Sequence, residues 1–320
     1  MPSGSPLPPS VAREPIDIPV ALGLLGLHLG ALAALWHFSW FGLGLAILLY
    51  WLTSSLGVSL GLHRMLSHRA FSPVGWLRAL LVILGCLALQ GRPLYWVGVH
   101  RLHHANPDGP RDPHSPRHGF WWAHFGWIVR QNTGGEQRLR VISDLMRDRT
   151  LVALDRWCPW IQLSSAVGLY ALGELARLGG IATSGWSCLL WAVGMRSVAA
   201  YHATWLVNSA AHRWGYVNYP TRDDAKNLWW VALLSFGEGW HNNHHAHPYS
   251  ARVGHRWFEV DLTWFALRVL QALRLVTQVR RVDAGLAHRS TTGSDDGGKD
   301  MVPPTAEQSP PAGRLADYGP

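Results

Sequence analysis

Three stretches of this 320-residue chain concentrate histidine in a pattern that points to metal chemistry. His63-Arg-Met-Leu-Ser-His68 is an HxxxxH pair, His100-Arg-Leu-His103-His104 is HxxHH, and His241-Asn-Asn-His244-His245 repeats HxxHH. In a helix, positions i, i+3 and i+4 share a face, so each HxxHH is expected to aim its imidazoles at one point. Isolated histidines such as His28, His37, His202, His255 and His288 read as core residues satisfied by a backbone carbonyl. The clusters do not, because each buried imidazole without a partner costs about 1–3 kcal/mol and few carboxylates stand beside them in sequence. Metal removes that cost. Imidazole suits Fe, Zn, Cu and Ni, and the clustered rings outnumber what one ion accepts, so two metal ions are expected. A site of neutral imidazoles without carboxylates, set in apolar sequence, suits an oxidant acting on a greasy chain; two-metal hydrolysis calls for carboxylate ligands. Cys86, Cys158 and Cys188 are isolated and lie in apolar surroundings, which excludes a disulfide scaffold and a cysteine zinc site.

The elements that must position these rings are apolar. The chain is 48% hydrophobic and 15% charged, well below the roughly 25% charge of a soluble domain. Ile18 to Trp36 and Phe41 to Leu60 each match the ~20 residues that cross a bilayer. Trp76 to Gln90 is shorter and contains Arg78, so an interfacial or re-entrant helix is expected. Two further spans are expected at Trp157 to Gly173 and Gly185 to Val207, the second carrying Arg196 and His202 turned toward the protein interior. The formal charge of +8 is carried by arginines interleaved with Trp and Leu, the only lysines being Lys226 and Lys299. This reads as juxtamembrane loops and excludes nucleic acid as the partner. Arginines from Arg64 to Arg156 fill the central loop, while the opposite loops offer only Arg177, so both termini and the histidine clusters are expected on the cytoplasmic side. The polar ends, 1–17 and 284–320, are expected to be disordered tails around one domain, 18–283. The expected fold is all-α: four transmembrane helices and a cytoplasmic helical cap carrying a histidine-rich dimetal site.

The boxes HRMLSH, HRLHH and HNNHH, in this order around four hydrophobic runs, resemble the membrane-bound fatty acid desaturases. The resemblance extends from the second run to about Val282. Asn208-Ser-Ala-Ala-His212 followed by Gly215, Gly237-Glu238-Gly239-Trp240, and Asp112-Pro-His114 are similar to the Δ9 (stearoyl-type) branch. The resemblance implies two ferrous ions held by His63, His68, His100, His103, His104, His212, His241, His244 and His245, with Asn208 acting through water; how the ligands divide between the irons is left open. By itself His212 reads as a helix-end residue. His114, His118, His124 and His247 fall outside the implied ligands and read as polar loop or supporting groups.

The same resemblance implies O2-dependent conversion of neighbouring CH2 groups to a cis double bond, expected at Δ9, with oxygen leaving as water. The chain has no dinucleotide fingerprint and no appended haem module, so electrons require a separate partner. In this family that is ferredoxin or a cytochrome b5-like protein with its reductase. Tyr95, Trp96, Trp121, Trp122 and Trp240 are candidate walls of an acyl tunnel. Animal acyl-CoA members have Arg-Asp immediately before the second box, where this chain has Gly98-Val99. Together with Leu89-Gln90-Gly91, Tyr95-Trp96-Val97-Gly98 and HNNHH, this is similar to the bacterial acyl-lipid enzymes. Chains esterified in lipids of a bacterial cytoplasmic membrane are therefore the expected substrate, and acyl-CoA is the alternative. A related diiron hydroxylase or ketolase shares the histidine framework. A membrane metal-binding or metal-transport protein is the non-enzymatic alternative, one that expects polar residues along several spans.

Overall fold

The computed structural model describes residues 15–130 and 135–282, and it is mostly helical. Helix α1, Ile18–Ala34, starts where the Asp17 side chain accepts the Val20 N–H at 3.1 Å, with proline in its first turn. After a short turn the Ser39 hydroxyl caps α2, accepting the Gly42 N–H at 2.9 Å. Helix α2 runs Trp40–Ser67, and from Trp51 onward it is wound as a π-helix. Such winding is normally confined to single turns; here it continues through the first histidine box.

Helix α3, Gly75–Leu87, lies directly on this segment. A Cβ at Gly57 would stand 2.5 Å from the Leu84 carbonyl carbon, so glycine is what lets the two backbones touch. Leu77, Leu81 and Val82 of α3 then close a core with Leu60, Leu62 and Leu66 of α2. Helix α4, Pro93–Ala105, begins where Asp155 accepts the Leu94 N–H at 2.8 Å. Helix α5, Gly135–Val141, precedes the long α6, Arg149–Leu178. Helix α7 is continuous over 185–209, with a π-helical stretch at Leu190–Met195. Helices α8, Trp229–Leu234, α9, His241–Ala246, and α10, Leu262–Ala272, complete the described helices of the cap. The expected all-α architecture acquires one addition. Strands β1, Ser72–Pro73, and β2, Val276–Thr277, pair antiparallel and tie the end of the described chain to the exit of α2.

Among the described residues two helices, Ile18–His37 and Trp40–Ser67, are long and apolar enough to cross a membrane. Leu22, Leu25, Leu29 and Leu32 of α1 are exposed, an apolar face that suits lipid contact. The third and fourth expected spans fall inside α6 and α7, and the short run from Trp76 is α3. Buried Arg196 donates Nε to the Ala192 carbonyl and Nη1 to the Leu87 carbonyl, both at 2.9 Å, and so caps the C-terminal end of α3. Of the expected tails, residues 15–17 are placed, Ile16 bridging Arg130; 1–14 and 284–320 lie outside the described residues.

Candidate metal centre

In an α-helix, residues five apart point well away from each other. The π winding of α2, in which the His68 N–H is donated to the His63 carbonyl, turns both rings to one side with centroids 4.9 Å apart. Helix α4 supplies His100, His103 and His104; α9 supplies His241, His244 and His245; the turn after α7 supplies His212. The six-residue α9 is held by the asparagines of its own box. The Asn242 side-chain oxygen accepts the Asn218 and Tyr219 N–H groups at 2.8 and 2.9 Å, and Asn243 Nδ2 donates to the Val253 carbonyl and to Glu259 at 2.8 and 2.7 Å. The two middle residues anchor the helix while the histidines face the site.

The rings form two groups. His63, His68, His100, His104 and His244 make one; His103, His212, His241 and His245 make the other; within each, potential ligand atoms lie within 4.8 Å of one another. The expectation that each HxxHH aims all its rings at one point is corrected. The i, i+4 pairs stay together, His100 with His104 and His241 with His245, while His103 and His244 cross to the opposite group. Successive helical residues are about 100° apart, so neighbouring rings such as His103 and His104 diverge, and the two facing helices interleave their ligands. His114 stands beside the second group with its ring 4.4 Å from that of His103. His124 instead bonds Ser209 and His202 at 2.9 and 3.0 Å, and His247 packs on Tyr219.

Carboxylates, which sequence spacing did not place near the boxes, surround the rings. His103 Nδ1 donates to Asp112 and His245 Nδ1 to Asp223, both at 2.8 Å. His63 and His212 approach Glu238 and Asp108 at 2.8 and 3.2 Å without the alignment of a hydrogen bond. Glu238 is in turn held by buried Arg64, which also pairs with Asp261 at 2.9 Å. Asp112 and Glu238 lie inside motifs already singled out; Asp108 and Asp223 come from loops with no periodic signal.

These partners test whether metal fits. With Nδ1 of His103 and His245 each donating to a carboxylate, the neutral form of either ring carries its lone pair on Nε2, and when both rings are neutral two lone pairs face each other at 3.2 Å. Two opposed lone pairs repel unless a cation is shared. Burial pushes the His68, His100, His104, His241 and His244 rings well below the ordinary imidazole value, the neutral form a metal requires. Burial also lowers His245, to about 4, against the pull of Asp223. His103 is the exception: burial lowers it, but Asp112 outweighs burial and the net shift is upward. The residues present fit a dimetal centre.

Beside the centre opens a cavity of about 1620 Å³, whose walls include Tyr95, Trp96, His100 and Asn208 together with Leu24 of α1 and Gln162 of α6. The Trp96 ring stacks on His100 with an interplanar angle of 18°. A narrow cleft continues from it between both groups, touching His63, His103, His241 and Asn208. Three candidate tunnel walls are corrected. Trp121 is 67% exposed, Trp122 borders neither cavity, and Trp240 is buried in a separate cluster, donating its indole N–H to the Val260 carbonyl at 2.9 Å. A tryptophan beside a histidine box in sequence can still leave its helix or turn on the far side.

The fatty acid desaturase family profile matches residues 17–275. The chain belongs to the fatty acid desaturase family. It is 46% identical over 264 residues to an sn-1 stearoyl-lipid 9-desaturase of Anabaena variabilis, covering 82% of this chain and 93% of that protein. It is 42% identical over 256 residues to an sn-2 palmitoyl-lipid 9-desaturase of Nostoc sp. (strain 36), covering 79% and 86%. An sn-1 stearoyl-lipid 9-desaturase of Synechocystis sp. is 43% identical over 256 residues, covering 79% and 77%. This desaturase is therefore an oxidoreductase, and the metal-transport alternative loses its support.

Proposed function

We propose that this desaturase introduces a cis Δ9 double bond into a saturated acyl chain esterified in a membrane lipid. The observation that carries the reading is the pair of histidine groups bordering a narrow cleft that shares Trp96, His100 and Asn208 with a large, mostly apolar cavity, in a chain whose relatives act on stearoyl and palmitoyl lipids. The ligands are His63, His68, His100, His104 and His244 at one position and His103, His212, His241 and His245 at the other, with Asn208 contributing through water. The metal is two ferrous ions, which when bound supply the O2 activation that removes hydrogen from neighbouring CH2 groups.

Each turnover takes O2, two electrons, two protons and the two hydrogens of the substrate, and yields the double bond and two waters. The chain's own residues supply placement. The cavity holds the acyl chain away from water, and the Trp96 and His100 wall sets one carbon pair beside the centre. Position, rather than acidity, then selects the C–H bond. Asp112 and Asp223 hold the Nδ1 protons of His103 and His245, keeping Nε2 of each ring turned to metal. Electrons come from ferredoxin or a cytochrome b5-like donor with its reductase. The domain covers 18–283, crosses the membrane four times and keeps both termini and the metal centre on the cytoplasmic side of a bacterial membrane.

The test is fatty-acid profiling of a desaturase-deficient host expressing the chain, by gas chromatography with double-bond localisation. A Δ9 monoene in the lipid fraction is the expected result. A hydroxylated or keto product would instead assign the related oxygenase chemistry.

A further inference from the structure

Two carboxylates behind the metal centre share a feature that holding a ring does not require. Asp112 accepts from His103 Nδ1 and Asp223 from His245 Nδ1, both at 2.8 Å, and each carboxylate directly follows an arginine, Arg111 and Arg222. Both carboxylate side chains are turned into the protein, while both arginines are exposed. The two loops are tied into one surface, because Asp224 donates its N–H to Asp108 at 2.6 Å and pairs with exposed Arg117 at 3.1 Å. Arg111 donates to the Asn106 side-chain oxygen at 3.0 Å, and among the described residues Arg222 has no hydrogen-bond or ion-pair partner. Arg213 and Lys226 lie on the same segment, the Lys226 ammonium donating to the Arg213 carbonyl at 2.9 Å. Asp224, already paired, is the one exposed carboxylate that residues 105–118 and 213–227 contribute. Beside the five-histidine group the arginines are taken up, since Arg69 and Arg101 both pair with Asp144.

We propose that Arg111 and Arg222 mark the docking surface of a small one-electron carrier protein with an acidic face. The proposal rests on the desaturase reading, which requires two external electrons per turnover, and places their entry. From each exposed arginine the way inward is one peptide unit, a carboxylate side chain, one hydrogen bond of 2.8 Å and one imidazole. Bonds and hydrogen bonds carry an electron over a given distance better than an open gap does. The two routes converge, since Nε2 of His103 and Nε2 of His245 lie 3.2 Å apart. Each docking oxidises the carrier by one electron, and two dockings supply the pair that, with two protons and two substrate hydrogens, reduces O2 to two waters. Opposite charge speeds and orients such short-lived encounters, and electron-transfer interfaces are correspondingly small.

The test uses the full-length protein in nanodiscs of neutral lipid, with an acidic plant-type ferredoxin as the carrier. Binding to the metal-free protein is followed by biolayer interferometry. Arg222→Glu, which breaks no described contact, is expected to raise Kd about tenfold at low salt, mainly through slower association. Arg111→Glu acts in the same direction, and Arg111→Lys recovers most of the loss because it keeps the charge. The difference from the parent vanishes at about 1 M salt, where the Debye length is about 3 Å. Arg149→Glu, the same charge change at the exposed start of α6 beside the Arg78–Asp148 pair, leaves Kd unchanged. With the iron-loaded protein, desaturation at limiting ferredoxin falls about tenfold in Arg222→Glu, in step with Kd. A single turnover after full reduction by dithionite and addition of O2 yields as much product as the parent. Unchanged Kd in both glutamate variants overturns the proposal, as does an equal change in Arg149→Glu or a loss that persists at high salt. Loss of the single-turnover product in Arg222→Glu also overturns it, since the arginine would then act on the centre itself. Ferredoxin binding that depends on Arg222, without a double bond formed in any acyl carrier, would leave the docking surface standing and overturn the desaturase reading.

Discussion

His103 and Asp112, nine residues apart in sequence, meet at 2.8 Å, and the same Asp112 oxygen also accepts the Asp108 N–H at 2.9 Å. A buried carboxylate held from two sides cannot swing away, so it fixes both the tautomer and the direction of the His103 ring. His103 is the residue of its helix that crosses to the four-histidine group, and Asp112 is what holds it there.

Replacing Asp112 with Asn keeps the shape and removes the charge. Metal retention should weaken by about 10–100-fold, the usual cost of losing a partner behind a ligand. Metal per protein after dialysis against a graded chelator series, with circular dichroism as the folding control, measures this. A full metal complement in Asp112→Asn would show that the carboxylate does not support the ring.

Acid should strip the centre in two stages. A ring whose pKa is lowered stays neutral to a lower pH and keeps its lone pair for metal, so sites built from such rings resist protons through the ordinary imidazole value of about 6.5. His245 is lowered to about 4 by burial, and five other rings lie well below their ordinary value for the same reason. His103 is shifted upward by Asp112, so protons compete there first and the four-histidine group should release metal at the higher pH. Metal content across a pH series checks this, and a single sharp loss near the ordinary imidazole value would contradict it.

Single-histidine variants separate the groups from their surroundings. His103→Ala and His244→Ala should abolish desaturation while the protein remains in the membrane fraction. His247→Ala, whose ring packs on Tyr219 away from both groups, should keep most of the activity. Equal loss in all three, read by product analysis beside immunoblots of the membranes, would mean that the ligand set is drawn wrongly.

Trp96 and Trp121 make a paired test of the cavity wall. Trp96 stacks on His100, and its indole N–H donates to Gln90 at 3.2 Å. Trp96→Ala should therefore loosen the chain and spread double bonds over neighbouring positions. Exposed Trp121 should tolerate alanine with the product unchanged. Double-bond localisation of both variants decides, and an unaltered product from Trp96→Ala would remove it from the wall.

The sequence by itself pointed to a histidine-held metal site serving an apolar substrate, and its motifs carried the resemblance to the desaturases. Histidine spacing, apolar runs of bilayer length and the motif around Asn208 and His212 are local patterns, legible because helical periodicity and span length are properties of short segments. The resemblance carried by those motifs implied a set of nine rings, and the structure gathers the same nine into two groups. Only the tertiary structure decided how that set divides. The division depends on the phase of two facing helices and on π winding in α2, and neither is written in residue types. The supporting carboxylates were hidden for a related reason: Asp108 and Asp223 come from loops, and what a loop residue faces is set by where distant helices place its ends. The same holds for the tryptophans, of which Trp96 reaches the cavity and Trp240 does not, and for Gly98, whose missing side chain matters only because Arg138, forty residues later, lies against it.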